Sequence, residues 1–69
     1  MDINTDSPVE EKIKAISEQL ELAQKALVAT QRTMMAANRL AGQIPMYKEL
    51  NKRITELGDW QKEVRQIPW

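Results

Sequence analysis

The 69-residue chain contains no cysteine, no histidine and no phenylalanine. Without cysteine there are no disulfides, no zinc–thiolate site and no thiol nucleophile. Without histidine the commonest general base and the commonest nitrogen ligand for metals are missing as well. Aromatics are confined to Tyr47, Trp60 and Trp69, and glycine to Gly42 and Gly58. A phosphate-cradling loop needs several clustered glycines, so that motif is excluded. Charge of either sign is not in excess: ten bases balance ten acids. Bulk electrostatics therefore exert no net pull toward nucleic acid or an anionic membrane. No apolar run approaches the roughly 18 residues of a membrane span. The first six residues, Met1-Asp2-Ile3-Asn4-Thr5-Asp6, are acidic and polar, unlike a signal peptide. The absence of cysteine agrees with a reducing, cytoplasmic location.

A chain this short buries only about 60% of its unfolded surface. With disulfides and the usual metal sites excluded, oligomerisation is the remaining way to enlarge the core. Such a chain has little room to enclose a substrate. Neither the carboxylate pairs Glu10/Glu11 and Glu18/Glu21 nor the serines Ser7 and Ser17 stand beside an evident catalytic base. No enzymatic activity and no cofactor are expected.

The residues present describe helices. Residues 1–6 read as a flexible arm. Ser7-Pro8-Val9-Glu10 then supplies a capping box with proline at the first helical position. No glycine or proline interrupts the chain until Gly42, which predicts a first helix over 8–41, about 51 Å long. Gly42 is expected to end it in the left-handed conformation. A turn over 42–45 and Pro45 then lead into a second helix over 46–66, with a possible break at Gly58 and a stop at Pro68. The expected fold is all-α: a helical hairpin with a long first and a shorter second helix, assembling as a homodimeric helical bundle.

Apolar spacing supports the assembly. Val9, Ile13, Ile16, Leu20, Ala23, Leu27, Thr30, Met34, Ala37 and Ala41 recur in unbroken steps of 4 and 3. This is the heptad of helices wound on one another. With Ile13 at a, the a column is Ile13, Leu20, Leu27, Met34 and Ala41, and the d column is Val9, Ile16, Ala23, Thr30 and Ala37. The e column (Glu10, Ser17, Gln24, Gln31, Asn38) is almost uncharged, which suggests a wider buried face than a two-stranded zipper has. The second helix is shorter than the first by roughly 20 Å, which leaves the end bearing Val9, Ile13, Ile16 and Leu20 to be covered. Val9, Ile13, Ile16, Leu20, Ala23 and Leu27 are the expected oligomer interface.

Charge is segregated along the chain. Residues 1–23 hold six acids and two bases, whereas residues 24–53 hold Lys25, Arg32, Arg39, Lys48, Lys52 and Arg53 against Glu49. The order complements a helix dipole. If the chain turns at 42–45, it also gathers bases at the hairpin tip. Arg32, Met35, Arg39, Tyr47, Arg53 and Trp69 are the candidate partner-binding residues. The functional expectation is a non-enzymatic, homodimeric protein-binding module. It would be an adaptor or inhibitor occupying a surface of another protein, such as a host protein, as short phage-encoded proteins do. Two alternatives stand beside it: capture of a nucleotide or nucleic acid at the basic tip, and a structural coiled-coil piece of a larger assembly.

Overall fold

Two helices joined by a tight turn lie antiparallel and pack on one another. A computed structural model describes residues 7–69, with only the backbone of Ser7 included. The expected flexible arm over 1–6 and the capping role of the Ser7 side chain lie outside the described residues. Helix α1 spans Ser7–Ala37 and helix α2 spans Pro45–Val64, with a single 3-10 turn, Ala41–Gln43, between them. All regular structure among the described residues is helical. At 1.5 Å per residue the arms measure about 46 and 30 Å.

The first helix stops four residues short of the expected end. Gly42 is not the terminator, since no glycine among the described residues has a positive φ. Asn38 is the residue that ends it. Its Oδ1 accepts a hydrogen bond from the Leu40 N–H at 2.9 Å, and its carbonyl accepts from the Ala41 N–H at 2.9 Å. Asparagine offers the backbone a local partner that competes with helical bonding. The Gln43 N–H then bonds the Leu40 carbonyl and the Ile44 N–H bonds the Ala41 carbonyl, closing the turn around a fully buried Ala41. Ile44 is extended at φ −73°, ψ 132°, as a residue before proline should be, and Pro45 opens α2.

Gly58 does not break α2, which runs through it without interruption. A Cβ at this position would lie 3.2 Å from Gln24 Nε2, so glycine serves here to let α1 approach. The helix closes at Val64, where the Arg65 and Gln66 N–H groups bond the Lys62 and Glu63 carbonyls.

The heptad is divided in an unexpected way. The residues of α1 turned toward α2 come from the a and e columns: Ile13, Ser17, Leu20, Gln24, Leu27 and Met34 are half-buried and Gln31 is buried. The d column joins this seam only through Ile16, while Ala23, Thr30 and Ala37 are exposed. The bare end of α1 is also shorter than the sequence implied. Ile13, Ile16 and Leu20 are half-buried, and only Val9, 47% exposed, remains open. Two effects account for this: α1 is shorter, and the segment after α2 continues along it until Trp69 comes to border Glu10, Ile13 and Lys14.

The result is a thin rod, 58 × 18 × 10 Å between Cα extremes, with a radius of gyration of 16.6 Å. A compact chain of this length would have a radius near 11 Å. The accessible surface is 5530 Å², against roughly 4,500 Å² for a compact monomer of this mass.

Candidate interaction surface

The seam carries amides where an apolar core would be expected. Gln24 Nε2 donates to the Ile54 carbonyl at 3.0 Å, and Gln24 Oε1 accepts from Gln61 Nε2 at 3.0 Å. One heptad later, Gln31 Nε2 donates to the Tyr47 carbonyl at 3.1 Å and to Asn51 Oδ1 at 2.8 Å. Every buried side-chain nitrogen and oxygen among the described residues has a partner. The apolar complement is small: Ala41, Leu57 and Val64 are the buried hydrophobic residues of the described chain. The sequence signal for this ladder is the seven-residue recurrence Ser17, Gln24, Gln31, Asn38, which reads as a polar flank unless a carbonyl partner is foreseen.

Three of the six candidate partner-binding residues, Met35, Arg39 and Tyr47, lie at the tip. Arg39 lies exposed in the turn. Met35 is 39% exposed and its Cε is 3.9 Å from where a Gly42 Cβ would stand, so its thioether lies over the turn. Tyr47 is half-buried in the first turns of α2. Arg32 borders a shallow hollow with Gln24, Lys25, Val28, Ala29 and Ile54. The charge of Arg53 is already engaged: it meets Glu56 at 2.7 Å and Glu49 at 3.7 Å. The hydrogen bond and charge of Glu56, then the charge of Glu49, push this guanidinium above its ordinary pKa.

Trp69 belongs to the other end of the rod. Its Nε1 donates to the Val64 carbonyl at 2.8 Å, folding the indole back against its own helix end. It borders a hollow with Ile13, Ser17 and Arg65, well away from the basic turn. Sequence reasoning missed two contributors at the tip, Leu40 and Met46, which are 63% and 62% exposed. Leu40 belongs to a second apolar set with Leu22, Ala26, Ala29 and Ala36, which pointed to burial, and the structure leaves it exposed just before the turn, with Met46 exposed just after it.

The expected interface residues are similarly divided. Leu20 and Leu27 are half-buried on the side turned toward α2, Ile13 is half-buried beside Arg65 and Trp69 beyond its end, Ile16 is half-buried, and Val9 and Ala23 are open. Among the described residues no group of three or more acidic side chains is close enough to hold a metal ion. No helix of the described chain is long and apolar enough to cross a membrane. The chain matches no protein-family model, no curated protein and no solved structure.

Proposed function

We propose that the protein is a non-enzymatic binding module that acts as a homodimer and uses its hairpin tip to occupy a surface of another protein, as an adaptor or inhibitor. One observation carries this reading. Within the short stretch from Met35 to Met46, three large apolar side chains (Met35, Leu40 and Met46) stand exposed while the small Ala41 is fully buried. Arg39 in the turn and Lys48 in the first turn of α2 are exposed close by in sequence, and Arg32 is exposed further down α1. These are three of the eight exposed large hydrophobic residues of the described chain, and exposed apolar groups gathered together mark a contact site. Methionine adapts to an irregular groove. The partner surface that suits this tip is an apolar groove with an acidic border. The fold supplies a rigid post behind it, because the turn is closed by backbone bonds and pinned by Asn38.

Capture of a nucleotide or nucleic acid competes for the same end. It loses support from Arg53, whose guanidinium already faces two carboxylates. A role as a structural coiled-coil piece would use the helix faces and leave the tip idle. Proteins captured from a lysate by the wild type should be lost with the double variant Arg32→Glu, Arg39→Glu, while helical circular dichroism is unchanged. Undiminished capture would remove the tip from the mechanism. Capture that survives high salt fits apolar docking. A steep decline with salt, together with absorbance at 260 nm in the purified protein, would transfer the tip to anion binding.

A further inference from the structure

The seam between the helices has two edges. One carries Ser17, Gln24 and Val28 beside Ile54, Gly58 and Lys62. A helix turns about 100° per residue, so Ile16, Ala23 and Thr30 lie toward the opposite edge, and on α2 Trp60 does too. On this second edge Trp60 is 43% exposed and Val9 47%, with Ala23, Thr30 and Ala37 open beside them. No residue of the column Val9, Ile16, Ala23, Thr30, Ala37 is charged. Gln24 bonds both the Ile54 carbonyl and the Gln61 side chain, which sets it opposite Gly58. Trp60 therefore lies within about one helical turn of the level of Ala23. Ala23 is next to the midpoint of α1.

We infer that a second copy of this chain covers the Ala23–Trp60 edge, stacked tip to tail about a two-fold axis that passes near both residues. The inference deepens the homodimer reading above and rests on it. Three observations converge. A two-fold interface must be self-complementary, and the d column is so about Ala23. The axis brings Ala23 against Ala23 of the second copy, Ile16 against its Thr30, and Val9 against its Ala37, large against small in each outer pair. Trp60 meets Trp60 of the second copy, and aromatic pairs of this kind are favourable.

Charge sets the direction. The tip region 24–53 has six bases and one acid, whereas the open end, counted over both arms, has Glu10, Glu11, Glu18, Glu21, Asp59 and Glu63 against Lys12, Lys14, Lys62 and Arg65. Lys25 and Arg32 border the first edge, so the charges act through the field of the whole molecule rather than by contact: tip-to-tail stacking brings each basic tip to the level of an acidic end, and stacking with the tips together would crowd the bases. Area sets the scale: the chain exposes 5530 Å², about 1,000 Å² beyond a compact monomer. A standard stable interface removes about 800 Å² per partner.

Purified full-length protein with a single introduced cysteine tests this, since the chain has none of its own. At micromolar concentration the wild type should sediment at twice the 8.0 kDa chain mass. Under mild oxidation Ala23→Cys should form a symmetric disulfide, because it lies on the axis. Thr30→Cys should not, because antiparallel stacking separates the two copies of position 30 by about 21 Å. Trp60→Asp should weaken association at least tenfold, read as a loss of the double-mass species at the concentration where the wild type shows it. Single-chain mass overturns both the geometry and the pairing. A double-mass species in which both cysteine variants cross-link, or neither does, overturns the geometry and leaves pairing standing. The tip reading is judged separately, by capture.

Discussion

At the scale of single residues, the contact between Gly58 and Gln24 sets two local preferences against each other. Alanine in a helix interior is favoured over glycine by up to about 1 kcal/mol. A Cβ here would press on Gln24 Nε2 at 3.2 Å and disturb its bond to the Ile54 carbonyl, worth about 0.5–1.5 kcal/mol. The two terms nearly cancel. Gly58→Ala should shift stability by less than about 0.5 kcal/mol in the native background. With Gln24→Ala already present, the same change should stabilise by about 0.5–1 kcal/mol. Urea unfolding of the four proteins checks the cycle, and equal effects in both backgrounds would deny the contact. Gly42 is different. Its backbone is not left-handed, and an added methyl would meet Met35 Cε at an ordinary 3.9 Å. Gly42→Ala should therefore be neutral or slightly stabilising in thermal unfolding, whereas a left-handed glycine would lose more than about 1 kcal/mol on the same change.

At the scale of elements, the existence and order of the two helices were legible in the sequence. The stretch free of glycine and proline from Val9 to Ala41, and Pro45 beyond it, announced both arms. The boundary was misjudged at Asn38, where a side-chain carbonyl outcompetes the helical bond. Glycine is the stronger statistical stop, and here it stands too late. The heptad was legible as a stripe. Which columns meet the chain's own second arm was not, because a 3.5-residue period fixes a face without naming its occupant. The amides Gln24 and Gln31 decide that assignment by reaching across to carbonyls of α2. The nearly uncharged e column pointed to a wider buried face, but not to glutamines bonding carbonyls of the second arm, since glutamine seldom lies inside. The tip candidates were close in sequence and come together at the turn. Trp69 was a candidate as a terminal anchor, because tryptophan is favoured at binding hot spots. Its bond to the Val64 carbonyl keeps it at the far end.

At the scale of the whole molecule, three buried hydrophobic residues among those described are too few to make a rod of 58 Å stable by burial alone. The proposed pairing would supply what is missing and tie folding to concentration. The thermal midpoint should rise measurably as protein concentration is raised a hundredfold, since association stabilises by mass action. A midpoint independent of concentration would mean that the hairpin stands unaided.

The amide ladder also governs alignment. Leucines slide past one another with little preference, but Gln24 and Gln31 each seek particular acceptors seven residues apart on the same arm. Displacing α2 by one turn, about 5.4 Å, would deprive both of their acceptors at once. The arms behave as a vernier with one matching notch, which keeps the turn at a fixed height above the opposite end whatever the molecule touches.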